Sequence, residues 1–238
     1  MARKQAGFSL IELMLVLVLV LAISGVILQV INLAGARSAT EQAKTDVFQE
    51  AREFMDQMSR DLRQAGFPSP RNMDPSIFTQ LPYINDLHAA AGLVLVSDTD
   101  LKFEGDPDGT GTVKVVHYHL DTSTTNGCPC LKRSELPKID GDPLTGQTTE
   151  VYQVEVQGVR NTNIFSAYNN GTAFTLPVDI TTAGGNTIAQ VDTIQAVLTL
   201  ESSAIDPQTR QKSVTTLVST VRLNNCSQAA HGFKTSCQ

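Results

Sequence analysis

A lone carboxylate inside an otherwise uncharged apolar stretch constrains this chain more than any other feature. Phe8-Ser9-Leu10-Ile11-Glu12-Leu13 opens a run that stays apolar from Leu13 to Leu28, with Ser24 and Gly25 as its weak points. The 21 residues from Phe8 to Leu28, wound as a helix, span roughly 31 Å, the hydrocarbon thickness of a bilayer. Arg3 and Lys4 are the only charges ahead of the run, so the basic flank is expected on the cytoplasmic side and the remainder is exported. An acid within a membrane span costs on the order of 2–3 kcal/mol even on lenient insertion scales, and therefore needs a partner and a purpose. A secretory signal peptide cut near Ala22-Ile23-Ser24-Gly25 leaves Glu12 unexplained, and so does a plain signal anchor. The bland alternative is a Glu12 that lies at the interface and snorkels to water.

Gly7-Phe8-Ser9-Leu10-Ile11-Glu12-Leu13-Met14-Leu15-Val16, behind its short basic leader, closely resembles the class III signal of type IV prepilins. The resemblance implies that a membrane-embedded prepilin peptidase/methyltransferase cuts after Gly7 and N-methylates Phe8. Residues 1–7 are then a leader, and residues 8–33 are retained as a transmembrane and assembly stem. It also implies that Glu12 pairs with the cationic Phe8 amine of a neighbouring subunit, because a buried charge needs an opposite one close by. The precursor is expected as a single-pass inner-membrane protein with its head on the periplasmic side, and the processed subunit at the pilus and cell surface.

Beyond Leu33 the pattern becomes amphipathic. Val47, Ala51, Phe54, Met58, Leu62 and Ala65 fall on one helical stripe, widened by Phe48 and Met55. Lys44, Asp46, Glu50, Arg52, Glu53, Asp56, Arg60, Asp61 and Arg63 occupy the other face. Gly66 followed by Phe67-Pro68 is a strong stop. No proline lies between Phe8 and Phe67, so a nearly unbroken helix of about 58 residues, roughly 87 Å long, is expected, with Gly25 and Gly35 as weak points. Residues 34–66 should lay their Phe/Met stripe against a sheet.

Residues 67–238 read as a β-rich head. Pro68, Pro70, Pro75 and Pro82 punctuate a loop. Strands are expected at Leu93 to Val96, Leu101 to Glu104 and Thr112 to Leu120, the last two flanking a Gly- and Asp-rich turn. Further strands are expected around Val151 to Gln157 and in a final pair, Val191 to Leu200 and Ser213 to Leu223. Residues 158–190, rich in Asn, Gly and Thr, read as a surface excursion. Without βαβ alternation the sheet should be antiparallel. The expected class is α+β, a long N-terminal helix packed on an antiparallel head.

The helix end Met58-Ser59-Arg60-Asp61-Leu62-Arg63-Gln64-Ala65-Gly66-Phe67, the strand Val115-Val116-His117-Tyr118-His119-Leu120, the Leu131-Lys132-Arg133 segment and the closing Thr220-Val221-Arg222-Leu223-Asn224 look like PilW-like minor pilins. That resemblance implies a structural subunit for pilus assembly, priming or a tip complex. Its partners would be other minor pilins and the major pilin. J-type minor pseudopilins of type II secretion share the stem signal and a similar helix end, and a membrane-tethered binding module is a third reading.

Four cysteines, Cys128, Cys130, Cys226 and Cys237, all fall on the exported side, where an even number favours disulfides. Three pairings are open. Cys226–Cys237 would close a C-terminal loop, and Cys128–Cys130 would be an unusual pair two residues apart. His117 and His119 share a strand face and, with Cys128 and Cys130, match a zinc donor set. Partly exposed histidines beside oxidised cysteines are the plainer reading. Asp106 and Asp108 place hard oxygens at alternate positions of a Gly-rich turn, a calcium-loop pattern that lacks a later bidentate Glu. No resident cofactor is expected. The net charge of −6 argues against nucleic-acid binding, which relies on Lys/Arg excess. No nucleophile elbow, His-Glu-x-x-His or phosphate loop is present, and the chain reads as a non-enzyme.

Overall fold

The computed structural model describes residues 9–124, 128–182 and 187–224. A single α-helix, α1 (Leu10–Gln64), runs for 55 residues without interruption through both Gly25 and Gly35. Among the described residues ten strands follow: β1 (Leu93–Val96), β2 (Asp100–Gly105), β3 (Lys114–Asp121), β4 (Cys130–Pro137), β5 (Gln153–Gln157), β6 (Phe165–Asn169), β7 (Thr172–Ala173), β8 (Val178–Asp179), β9 (Thr193–Ile205) and β10 (Lys212–Arg222). The class is therefore α+β, with one long N-terminal helix and antiparallel sheets.

The chain divides into two compact units. The first takes the described residues up to Thr45 together with Ser203–Ser213. Within it, Thr40 Oγ1 donates to Ala36 O one turn back (3.0 Å) and approaches Ile205 O at 3.5 Å. The second unit takes Asp46–Ser202 and the described residues from Val214 onward.

In the second unit the strands form two sheets where a single one was expected. One has six strands in the order β5-β4-β3-β2-β1-β8, the other four in the order β10-β9-β6-β7. The amphipathic stripe of α1 does what its spacing demands: Ala51, Phe54, Met55, Met58, Leu62 and Ala65 are all buried. They share a core with Leu101, Phe103, Val116, Tyr118, Leu120 and Leu131 from the first sheet and with Phe165, Ile194, Ala196 and Leu198 from the second. The Phe54 ring meets Tyr118 edge-on, centroids 5.4 Å apart, the geometry that aromatic quadrupoles favour.

Alternation along β3 sorts its side chains to two sides. Val116, Tyr118 and Leu120 belong to the core beneath α1, whereas His117 and His119 lie on the opposite face. Register carries this division across the sheet. Leu101 stands opposite Tyr118 and Phe103 opposite Val116, while Asp100 stands opposite His119 and Lys102 opposite His117.

The helix stops where expected. Gly66 takes a left-handed conformation (φ 82°) and donates its N–H to Glu104 O at 2.9 Å, and Ala65 bridges to Gly105. The proline-rich stretch after it contains three short 3₁₀ turns, Pro70–Asn72, Pro75–Ile77 and Tyr83–Asn85. Residues 158–190 depart from the expected surface excursion. Ile164, Phe165, Ala167, Val178, Ile180, Ile188 and Ala189 are buried. The segment supplies β6, β7 and β8, and the Ile164 and Phe165 amides anchor it by donating to Asp98 O.

Candidate functional site

From Leu10 to Leu33 the helix carries one charged residue, Glu12. Its apolar side chains lie open, Leu10 at 78% and Val18 at 63% exposure. By length and composition α1 is able to cross a membrane, and none of its apolar window is buried within the protein. Glu12 lies in the first turn, where its backbone N–H donates to Ser9 O at 3.0 Å. An apolar helix left unburied among the described residues requires lipid or other helices around it. Gly7 and Phe8, the expected cleavage and methylation positions, lie outside the described residues.

Two polar networks occupy opposite faces of the six-stranded sheet. Beneath α1, the Tyr118 hydroxyl donates to Asp61 Oδ2 (2.7 Å), which also accepts Arg133 Nη2 (2.8 Å) and Nε (3.1 Å). Arg133 pairs onward with Glu135, which accepts Lys114 Nζ at 2.6 Å. Burial, aided by the neighbouring Asp61 carboxylate, pushes the Tyr118 hydroxyl well above its ordinary value.

On the far face, Asp100, His117, His119, Glu150 and Tyr152 form a compact cluster. Asp100 Oδ1 lies 2.6 Å from His119 Nδ1 and 3.3 Å from His117 Nε2. His117 Nδ1 lies 2.8 Å from the Tyr152 hydroxyl and 3.0 Å from Glu150 Oε1. Burial pushes the Asp100 and Glu150 carboxyls up, yet their hydrogen bonds and cationic neighbours prevail. Asp100 sits far below the usual carboxylate range, and Glu150 is held at about 2 by Tyr152, His117 and Lys102. The bond from Asp100 pulls His119 upward.

A family model described as the prokaryotic N-terminal methylation motif matches residues 2–28. The match covers the basic leader, Gly7, Phe8, Glu12 and the apolar run. The chain carries a type IV prepilin-like N-terminal signal. Its motif implies processing by a prepilin peptidase at the N-terminus, and its apolar helix fits membrane anchoring. No curated protein and no solved structure matches the chain significantly.

Elsewhere in the chain, the remaining sequence-derived candidates separate. Asp106 Oδ1 accepts the Thr110 amide (3.0 Å) and Oδ2 the Gly111 amide (2.8 Å), so both oxygens brace their own turn. Asp108 Oδ2 takes Lys114 Nζ at 2.6 Å, which holds its carboxyl well below the usual range. A cation at this turn would have to displace that ammonium. Cys128 and Cys130 are joined as a disulfide, Cα atoms 4.5 Å apart, and Cys226 and Cys237 lie outside the described residues. Cys128 and Cys130 approach Asp121, whereas His117 and His119 gather around Asp100, so the mixed His/Cys set does not form. Asp100, Glu150 and Tyr152 were not legible as partners of the histidines. Only the strand register, Asp100 opposite His119 and Lys102 opposite His117, brings them together.

Proposed function

We propose that this protein is a minor type IV pilin of the PilW-like kind, a non-catalytic subunit for pilus assembly, priming or a tip complex. One observation carries the reading: an unburied apolar stretch of α1, residues 10–33, whose single charge, Glu12, sits four residues beyond the expected new amino terminus at Phe8. Cleavage after Gly7 creates an ammonium beside lipid, and Glu12 of an adjacent subunit neutralises it. The head is then carried on the periplasmic side and later at the filament surface, where it meets other minor pilins and the major pilin. The same stem and helix end serve equally in a J-like minor pseudopilin of type II secretion.

Two measurements test the proposal. Mass spectrometry of the mature chain should find N-methyl-Phe8 as the first residue. An intact Met1 or a start near Gly25 would overturn retention of the stem. Glu12→Ala should insert into the membrane normally yet abolish piliation. Unchanged piliation would reduce the stem to a tether, and loss of type II secretion with intact pili would select the pseudopilin reading.

A further inference from the structure

The far face of the six-stranded sheet brings three possible metal-donor atoms close together. Asp100 Oδ1, His117 Nε2 and His119 Nδ1 all lie within 4.8 Å of one another. They are mounted rigidly. His117 and His119 are alternate residues of β3, and Asp100 is the direct cross-strand neighbour of His119 on β2. The second oxygen of Asp100 is engaged elsewhere, accepting Thr99 Oγ1 (2.6 Å) and Ser97 Oγ (3.1 Å), so the carboxylate is oriented with Oδ1 toward the imidazoles.

The hydrogen-bond directions behind His117 decide what belongs between these donors. The Tyr152 hydroxyl donates its one proton to Glu150 Oε2 at 2.7 Å. Toward His117 Nδ1, 2.8 Å away, the same oxygen acts as an acceptor, so Nδ1 carries the ring proton. Glu150 Oε1 lies 3.0 Å from the same nitrogen without hydrogen-bonding to it, and its negative charge favours a proton there. A neutral His117 then aims the Nε2 lone pair at Asp100 Oδ1 across 3.3 Å, with two acceptors face to face. A positive centre is required between them, either a second ring proton or a metal ion.

We propose that Asp100, His117 and His119 bind a divalent first-row transition metal of the zinc class, with Tyr152 and Glu150 as the outer partners that fix the His117 tautomer. Two imidazoles and one carboxylate are the donor set this class favours over calcium or magnesium, which take oxygen. Tetrahedral zinc with bonds of about 2.0–2.2 Å holds its donors about 3.3–3.6 Å apart; Asp100 Oδ1 and His117 Nε2 already stand at 3.3 Å, and Asp100 Oδ1 and His119 Nδ1 would open from 2.6 Å. A carboxylate or hydroxyl behind a ligating imidazole is the usual outer arrangement at such centres. His119 is the most open of the three, its side chain 39% exposed, and leaves the remaining coordination position to solvent. The neighbouring Cys128 and Cys130 are oxidised to each other and offer no thiolate. The proposal is independent of the assembly role of the stem.

The test uses full-length protein in detergent, stripped of metal with a chelator and titrated with Zn²⁺ against a chromophoric competitor, and with Co²⁺ as a spectroscopic probe. One equivalent of each should bind, Co²⁺ with visible bands of a low-coordinate nitrogen–oxygen site, and Zn²⁺ should raise the melting temperature. Tyr152→Phe should weaken Zn²⁺ by about 10–100-fold, and His119→Ala and Asp100→Asn by more. His88→Ala should bind as the parent does. Because His119 is half-exposed its replacement leaves the core intact, and circular dichroism confirms that the variant folds. Failure to bind one equivalent, or undiminished affinity in folded His119→Ala, overturns the proposal. Binding that survives His119→Ala but is lost in Asp121→Asn would place the ion beside the cysteines and also overturn it.

Discussion

Lys138 Nζ lies 2.6 Å from Glu104 Oε2, and both side chains are wholly sealed from solvent. The same ammonium donates to Ile84 O (2.5 Å) and Ala89 O (2.6 Å), and Glu104 Oε2 also accepts the Ala91 amide (2.9 Å). One ion pair thus fastens the proline-rich stretch that follows α1 to the edge of β2. Burial pushes the Glu104 carboxyl up against the pull of Lys138. Lys138→Met strands that carboxyl and two carbonyls, and should lower stability by about 3–5 kcal/mol, read from the urea midpoint. The double variant Lys138→Met with Glu104→Leu should recover a large part of the loss, because an ion pair removed whole leaves no orphaned charge.

Tyr118 and Asp61 tie the helix to the sheet. Tyr118→Phe leaves Asp61 with Arg133 and should destabilise by about 1–3 kcal/mol, whereas Asp61→Ala removes the acceptor of both the Tyr118 hydroxyl and the mostly buried Arg133, leaving Arg133 to Glu135, and should exceed that. Equal effects from the two changes in chemical denaturation would refute a network centred on the carboxylate.

Gly105 bridges to Ala65 at the end of α1. A side chain there would collide with the Gln64 carbonyl, a backbone atom that cannot swing aside. Gly105→Ala should therefore destabilise by about 1–3 kcal/mol, seen as a lower melting temperature. The same change at Gly109, where nothing crowds the added carbon but φ is +69°, should produce only the smaller backbone penalty.

Asp86 gives the acid limb of stability a defined origin. Its burial raises the carboxyl, but the amides of His88, Thr79 and Gln80 and the His88 ring hold it at about 2 against an ordinary 3.8. The folded state therefore takes up this proton less readily than the unfolded chain. The resulting stabilisation is complete above the ordinary value and fades as pH falls toward about 2. Asp86→Asn should flatten the decline in melting temperature across that window, and an unchanged slope would sink the assignment.

The stem and the amphipathic half were legible because each obeys a single rule: uninterrupted apolarity in one, a helical repeat in the other. Strand β4 was not, since Lys132, Arg133 and Glu135 break the apolar alternation and are accommodated by ion pairs with Asp121, Asp61 and Lys114. Residues 158–190 misled for a related reason. Their buried residues come in ones and twos among Asn, Gly and Thr, so composition outweighed Phe165 and Ile188. At the far-face cluster the two histidines were visible as strand neighbours, whereas Asp100, Glu150 and Tyr152 required register and loop placement, which no local pattern encodes.

Strand β3 hands consecutive side chains to opposite sides, Tyr118 to the helix and His117 and His119 to the surface beyond. Chemistry on the two sides is thereby insulated by the thickness of one peptide ribbon. The outward histidine constellation can be rewritten, residue by residue, without loosening the bond by which Tyr118 grips Asp61.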